Sequence, residues 1–259
     1  VVQINRQERY VIADDGTQES YDRLLLATGS MPFILPVPGN DLPGVIAYRD
    51  IQDTNEMISV ASKYAHAVVI GGGLLGLEAA NGLVTRGMNV TVVHLAPWLM
   101  ERQLDQTAAD LLQKSLEKKG LKFLLGAQTE AIIPNTNNDR VARVRLKGGL
   151  EVAADLVVMA AGIKPNIALA ESAGLHCQRG IVVSDTMQTF DPKIYAVGEC
   201  ASHRGIAYGL VAPLFEQAKV CANHLAQLGS LHYKGSVTST KLKVTGVDLF
   251  SAGNFIGGE

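Results

Sequence analysis

Cysteine is scarce in this 259-residue chain. Cys177, Cys200 and Cys221 are odd in number, lie far apart and form no Cys-x-x-Cys pair. This spacing argues against a disulfide framework and a cysteine zinc cage, and it predicts three core-filling thiols. The six histidines are also scattered, without a Ser-His-Asp set. We therefore expect no metal site and assign no catalytic side chain.

An excess of charge of one sign and a long apolar run are also lacking. The 23 Lys and Arg residues against 25 Asp and Glu residues give a formal net charge of −2, without a basic stripe for nucleic acid. No apolar stretch reaches the roughly 18 residues that a membrane span needs, and the N-terminus has no signal-peptide layout. We expect a cytoplasmic protein with neither a nucleic acid nor a membrane as partner.

The sequence is rich in glycine, and its clearest glycine motif lies in the stretch AVVIGGGLLGLEAANGL. Ala67 to Ile70 form an apolar strand, and Gly71, Gly73 and Gly76 fit G-x-G-x-x-G at the entry to a helix. The first glycine permits the tight turn, the second lets a pyrophosphate approach the backbone, and the third allows close helix packing. A second strand at Asn89 to Leu95 completes a βαβ unit. The pattern predicts a dinucleotide site.

His94 stands at the end of that second strand, where an NAD site usually offers Asp or Glu to the ribose 2′-hydroxyl. A neutral histidine can hydrogen-bond a hydroxyl, and a protonated one favours a phosphate, so the choice between NADH and NADPH stays open. A strand-end histidine that faces solvent is the alternative.

Further strands and helices surround this unit. Leu24 to Ala27 and Leu156 to Ala160 are continuous apolar runs, which predict buried strands that end at Gly29 and Gly162. We also expect a helix from Asp105 to Gly120, a three-stranded antiparallel meander between about 127 and 155, and a helix over roughly 208–228.

Four stretches, YDRLLLATGS, GGGLLGLE, ADLVVMAAGIKPN and TFDPKIYAVGEC, resemble the pyridine nucleotide-disulfide oxidoreductase superfamily, in the order that this superfamily uses. Within it, VTVVHLAPWLMERQLD and VGECASHRGIAYGLVAPLFEQAK are most similar to the flavin module of NAD(P)H nitrite reductase large subunits. The resemblance implies FAD and NAD(P)H as cofactors, with hydride transfer from the nicotinamide to the flavin. It also implies downstream redox modules or a small electron-carrier protein as partner, and it allows a homodimer.

The resemblance also assigns cofactor contacts. Glu199 matches the acid that hydrogen-bonds the ribityl chain of FAD, and Glu78 matches an acid near the nicotinamide carboxamide. A structural role at the strand end and a helix-dipole role are the respective alternatives. Pro213, with Leu210 and Val211, matches a segment beside the flavin ring, although the spacing also suits any packed helix. The full set of cofactor-binding candidates is Thr28, Gly29, Gly71, Gly72, Gly73, Leu74, Leu75, Gly76, Glu78, His94, Gly162, Gly198, Glu199 and Pro213.

The expected fold is α/β: a Rossmann-like NAD(P)-binding domain with a three-stranded meander, at 46–163, inserted in a partial FAD domain at 1–45 and 164–235. Residues 236–259 resemble the start of a C-terminal domain. Because no glycine motif precedes Gly29, we expect a fragment with half of a flavin site, inactive by itself. Iron-sulfur and sirohaem centres would lie on other segments. The alternative functions are an NADH oxidase, a ferredoxin or rubredoxin reductase, and a non-catalytic nucleotide-binding scaffold.

Overall fold

The computed structural model describes residues 1–255 and confirms the α/β class. The chain forms two compact units, one from residues 1–31 and 163–238 and the other from residues 32–162 and the chain from 239 onward. The strands are β1 (Gln3–Asn5), β2 (Tyr10–Ile12), β3 (Gln18–Ser20), β4 (Leu24–Leu26), β5 (Ser30–Pro32), β6 (Val45–Ala47), β7 (His66–Ile70), β8 (Asn89–His94), β9 (Lys122–Leu125), β10 (Thr129–Pro134), β11 (Val141–Leu146), β12 (Glu151–Ala153), β13 (Leu156–Met159), β14 (Ile163–Pro165), β15 (Ile181–Val183), β16 (Ile194–Ala196), β17 (Ala201–His203), β18 (Ser239–Lys241) and β19 (Phe250–Ala252). The helices are α1 (Ile51–Ala61), α2 (Leu74–Thr85), α3 (Gln106–Glu117), α4 (Ala168–Ser172) and α5 (Val211–Leu225).

A five-stranded sheet organises the unit formed by residues 32–162 and the chain from 239. Its strand order is β6-β13-β7-β8-β9, and all four pairings are parallel. Within β7, Ala67 and Val69 belong to one core cluster, whereas Val68 and Ile70 belong to another. Both faces of the sheet are therefore covered, which explains why this strand is a continuous apolar run.

The predicted meander lies between β9 and β13. Strands β10, β11 and β12 pair antiparallel in sequence order, and Ile132 and Val144 face the same core cluster as Val68. The turn clusters at Asn135 to Asp139 and at Gly148-Gly149 separate the three strands, and these local signals predicted the element. The predicted cap is also present, since the Asp105 carboxylate accepts a hydrogen bond from Ala108 N–H at the start of α3.

The compact units divide the chain at other positions than the sequence suggested. Residues 32–45 group with the five-stranded sheet, where Leu35, Val37 and Leu42 pack against its core. The segment from residue 239 joins the same unit, because Leu242 and Val244 are buried in the cluster that holds α2. The functional assignment of these segments stays a prediction.

The unit of residues 1–31 and 163–238 contains an antiparallel sheet, β1-β2-β3, and two parallel pairs, β4 with β16 and β15 with β17. Its core cluster includes Leu26, Tyr195 and Val220. The prediction that Leu24 to Ala27 form a fully buried strand is wrong in part, because Leu25 is 45% exposed. Side chains alternate along β4, so only one of its faces packs against this core.

Asp185, His203 and Arg204 form a polar cluster that makes a pH-dependent contribution to the stability of this unit. Hydrogen bonds from Arg204 and then His203 lower the pKa of Asp185 from 3.8 to about 2. A depressed carboxyl pKa contributes stability that is complete above the unfolded value and is lost as pH falls through the folded one. We expect Asp185→Asn to flatten the fall of the unfolding midpoint between about pH 4 and about pH 2. Urea midpoints of both proteins at several pH values check this, and parallel curves would contradict it.

Candidate functional site

The first turn after β7 is built from glycines that have different roles. Gly71 has φ of +123°, a conformation that favours glycine, and its N–H donates to Val93 O at 2.9 Å. A Cβ at Gly71 would overlap the Ala160 carbonyl oxygen, and one at Gly76 would overlap the Gly71 carbonyl oxygen. These two positions are therefore required for packing.

Gly73 differs, because no atom lies within 4 Å of where its Cβ would be. It is the N-cap of α2 and makes no side-chain cap hydrogen bond. Helix N-termini present N–H groups and a positive dipole end, which suit a phosphate. Leu74 and Leu75 form the first positions of this helix, and Leu75 is exposed. The geometry fits the pyrophosphate of a dinucleotide.

The sheet topology also indicates a ligand site at the N-terminus of α2. Strands β7 and β13 are parallel neighbours, and the chain continues from them into α2 and into the Ala161-Gly162 turn. Ligands of open α/β sheets bind beyond the carboxyl ends of the strands where the strand order reverses. Gly162 is exposed and also has no atom within 4 Å of a Cβ position. Gly162 and Gly73 thus both leave room for a ligand.

His94 contacts the glycine turn itself. Its Nδ1 accepts the Gly72 N–H at 3.0 Å, and its Nε2 lies 3.0 Å from Oε2 of Glu101. The side chain is only 10% exposed, so the alternative of a solvent-facing histidine is wrong. Both ring nitrogens have protein partners, and a direct bond from His94 to a ribose would require one of them to leave. Sequence reasoning missed Glu101, which follows β8 and is the partner of His94 Nε2.

The segment after β8 also contacts Gly72, through the backbone of Met100 and the side chain of Leu99. Met100 N–H donates to Gly72 O at 3.0 Å, and a Cβ at Gly72 would lie 2.7 Å from a Leu99 methyl group. Met100 is fully buried with φ of +53°. Both peptide groups of Gly72 are thus satisfied within the protein. Gly72 orients the turn and offers a phosphate no donor of its own.

Glu78 lies one turn further along α2. Its Oε1 accepts the Lys243 N–H at 3.0 Å, within the unit that includes the segment from residue 239. Glu78 lies beyond the first turn of α2, so the helix-dipole alternative has no support and the Lys243 contact is a structural one. The predicted nicotinamide contact stays a prediction.

A second group of predicted residues lies in the other unit, at the carboxyl ends of β4 and β16. Cβ positions at Gly29 and Gly198 have no atom within 4 Å. Ser30 Oγ donates to Oε2 of Glu199 at 2.7 Å, and Thr28 Oγ1 donates to Asn166 O at 2.7 Å. Because β4 and β16 are parallel neighbours, both open glycines lie at one sheet edge. An open cradle with a carboxylate fits a polyhydroxyl chain such as the ribityl chain of FAD.

Helix α5 contributes to this edge through a residue that the sequence did not reveal. The fully buried Gln217 accepts the Gly198 N–H on its Oε1 at 2.9 Å. Pro213 is buried in the first turn of α5, whereas Val211 is exposed. Gln217 follows no motif and Ser30 lies 169 residues from Glu199, so only the folded chain brings these groups together.

Residues 1–255 contain neither a metal-ligand cluster nor a membrane-spanning helix. In that part of the chain no group of three or more His, Cys, Asp or Glu side chains is arranged to hold a metal ion. None of the helices within the same range is long and apolar enough to span a bilayer.

Sequence comparison adds relatives to this geometry. The profile of the family described as "Pyridine nucleotide-disulphide oxidoreductase" matches residues 1–224. A nitrite reductase [NAD(P)H] of Bacillus subtilis is 58% identical over 98% of this chain, and the nitrite reductase (NADH) large subunit of Escherichia coli is 40% identical over 98%. The chain spans 31% and 30% of these two relatives.

Solved structures agree with the sequence match. The ferredoxin reductase of the CYP199A2 system from Rhodopseudomonas palustris superposes with a TM-score of 0.90 at 31% identity, covering 96% of this chain and 62% of that one. Putidaredoxin reductase, in its covalent complex with putidaredoxin, gives a TM-score of 0.89 at 31% identity, covering 97% of this chain and 62% of that one. Two glycine-lined strand edges, the matching profile and these structures lead to one conclusion. The chain belongs to the pyridine nucleotide-disulphide oxidoreductase family, whose members bind FAD and NAD(P)H.

Proposed function

We propose that this chain is the electron-input part of an NAD(P)H-dependent nitrite reductase, in which NAD(P)H reduces FAD. The observation that supports this most directly is the open N-terminus of α2 at Gly73, at the reversal point of the sheet. The 58% identity to the Bacillus subtilis nitrite reductase supports the choice of enzyme. Since the chain spans about a third of that relative, the complete reaction requires segments outside it.

The protein groups bind and orient in this proposal. Backbone N–H groups at the start of α2 hold the pyrophosphate of NAD(P)H, with Gly73 giving the close approach. Glu199, oriented by Ser30, accepts hydrogen bonds from ribityl hydroxyls, and Gly29 and Gly198 leave room for them. When bound, the flavin supplies the hydride-accepting and electron-transferring chemistry. The protein supplies position, and no side chain is assigned to the hydride step.

Electrons then pass to other redox groups. We propose iron-sulfur and sirohaem centres on other segments of the same polypeptide as the acceptors, since the chain spans 31% of the nitrite reductase to which it is 58% identical. We also propose a cytoplasmic location, in keeping with three free cysteines, and a homodimer, which light scattering on the intact protein would test.

A second candidate is supported by a specific relative. An assimilatory nitrate reductase electron transfer subunit of Bacillus subtilis is 52% identical over 98% of this chain. In that case the flavin passes electrons to a separate protein. A rubredoxin reductase relative, at 36% identity, supports the same alternative. An NADH oxidase relative, also at 36% identity, supports a third, in which the flavin passes electrons to oxygen.

The test uses the full-length polypeptide. We expect flavin absorbance in the purified protein, bleaching of that absorbance by NADH or NADPH without oxygen, and reoxidation by nitrite. Bleaching without reoxidation by nitrite would favour the separate-acceptor alternative. Flavin that NAD(P)H does not bleach, or no flavin at all, would reject both enzyme readings and leave a nucleotide-binding scaffold.

Glu199 provides a prediction for the flavin edge. In the full-length protein, Glu199→Ala removes an acceptor for ribityl hydroxyls, so we expect FAD affinity to fall about tenfold, or about 1.4 kcal/mol. Ser30→Ala keeps the carboxylate and removes only its partner, so its effect on FAD affinity is expected to be smaller. Fluorescence titration of the apoprotein with FAD measures both. Equal affinity for parent and Glu199→Ala would assign Glu199 the structural role alone.

A further inference from the structure

Glu101 is the outermost group of a chain of contacts that starts at the glycine turn. Gly72 N–H donates to His94, and His94 in turn pairs with Glu101 at 3.0 Å. The side chain of His94 is 10% exposed and that of Glu101 is 33% exposed. A dinucleotide site usually has an acid at the end of the second strand. Here a histidine occupies that position, and the carboxylate lies one hydrogen bond beyond it.

The Gly72 contact determines which nitrogen of His94 carries the proton. Because the Gly72 N–H points at Nδ1, that nitrogen is the acceptor, and the ring proton is on Nε2. The Nε2–H therefore donates to Oε2 of Glu101. The imidazole uses both nitrogens inside the protein, which leaves it no donor for a 2′-phosphate.

We propose that Glu101 is the residue that recognises the adenosine ribose and that it makes the site select NADH over NADPH. Its carboxylate accepts hydrogen bonds from the 2′- and 3′-hydroxyls and repels a 2′-phosphate. His94 is a positioning residue that holds this carboxylate at the end of β8. The inference rests on the proposed binding of NAD(P)H at the glycine turn and specifies which nucleotide that site takes.

Arg102 is the charged neighbour that opposes this selection. Its Nε lies 4.0 Å from Oε1 of Glu101, beyond hydrogen-bond distance, and its side chain is 79% exposed. A guanidinium here offers a cation to a 2′-phosphate, so the experiment has to separate the two residues. We expect Glu101 to dominate because His94 holds it in place and it is the less exposed of the two.

The test measures binding to the full-length FAD-containing protein by calorimetry, with ADP-ribose and 2′-phospho-ADP-ribose as probes. These probes lack the nicotinamide, so the readout does not depend on hydride transfer. The variants are Glu101→Gln, Glu101→Arg and Arg102→Ala. Glu117→Gln is the matched control, because Glu117 is an exposed acid on α3 whose Oε1 accepts a hydrogen bond from Gln113.

We expect the parent protein to bind ADP-ribose at least about tenfold more tightly than its 2′-phosphorylated form. Glu101→Gln should remove most of this ratio, and Glu101→Arg should reverse it, because a guanidinium binds phosphate. Arg102→Ala and Glu117→Gln should leave the ratio within about twofold of the parent.

Two histidine variants test the positioning role. The amide nitrogen of His94→Gln reaches the place of Nε2 and still donates to Glu101, whereas His94→Asn places its amide near Nδ1 and keeps only the Gly72 contact. We expect the selectivity ratio to be retained in His94→Gln and reduced in His94→Asn. A purely structural histidine would change thermal stability in both variants and the ratio in neither.

Failure of the proposed function and failure of the inference about Glu101 give different results. If the parent binds neither probe, the proposed function fails together with this inference. If the parent binds ADP-ribose but Glu101→Gln keeps its selectivity, only the role of Glu101 is overturned. A parent that prefers the 2′-phosphorylated probe, with that preference lost in Arg102→Ala, would assign recognition to Arg102.

Discussion

Gly76→Ala is expected to destabilise the unit that contains the five-stranded sheet by about 3 kcal/mol or more. Its added methyl group would overlap the carbonyl oxygen of Gly71, and Gly71 in turn lies against the backbone of Ala160. Neither backbone can move without shifting β7 or β13. Because a domain is stable by only about 5–15 kcal/mol, such a loss is large.

Urea unfolding followed by the fluorescence of Trp98, the single tryptophan of the chain, measures this effect. Trp98 packs against the core cluster that includes Leu77 of α2. Gly82→Ala is the matched control, since it lies in the exposed interior of the same helix with no atom within 4 Å. That variant should be more stable by about 0.5–1 kcal/mol. Similar midpoints for the two variants would contradict the overlap.

Unlike Gly76→Ala, Gly73→Ala is expected to fold normally but to bind the nucleotide less tightly. Gly73 has φ of −85°, which alanine adopts, and its Cβ direction is open. The methyl group would occupy the space in which a pyrophosphate approaches the start of α2. We expect the affinity of the full-length protein for NAD⁺ to fall about 10- to 100-fold, or about 1.4–2.8 kcal/mol.

Calorimetry with NAD⁺ and the urea midpoint, measured on the same variant, separate binding from stability. Gly82→Ala again serves as control, because it adds the same methyl group away from the turn. Unchanged affinity in Gly73→Ala would place the nucleotide elsewhere and would remove the main support for the proposed function. Loss of both affinity and stability would mean that Gly73, like Gly76, is required for packing.

The glycine motif shows how much of the structure a local sequence pattern can predict. Its spacing predicted the strand, the turn and the helix, because each glycine acts on neighbours within a few residues. The same is true of the meander, whose turn residues lie directly between its strands, and of the Asp105 cap. The motif also predicted the open approach at Gly73 and the close packing at Gly76, whose Cβ would overlap Gly71 within the motif itself. It did not reveal that Gly71 lies against the backbone of Ala160, more than eighty residues away in the sequence.

The buried state of Leu24 to Ala27 shows a limit of the same reasoning. Four apolar residues predicted a strand covered on both faces, whereas within residues 1–255 the core lies against one face of β4 and Leu25, on the other face, is exposed. In β7 an equally continuous run is covered on both faces, by two different core clusters.

The sequence by itself determined the α/β class, the order of the main elements and the residues at both strand edges, since periodicity and glycine spacing act locally along the chain. Tertiary structure alone decided the partners of those residues: Ser30 with Glu199, Gln217 with Gly198, and Glu101 with His94. The first two pairs join residues distant in sequence. The third depends on the buried, left-handed turn at Met100, which no spacing rule predicts. Hydrogen bonds between such groups form only when packing elsewhere has fixed their distance and direction.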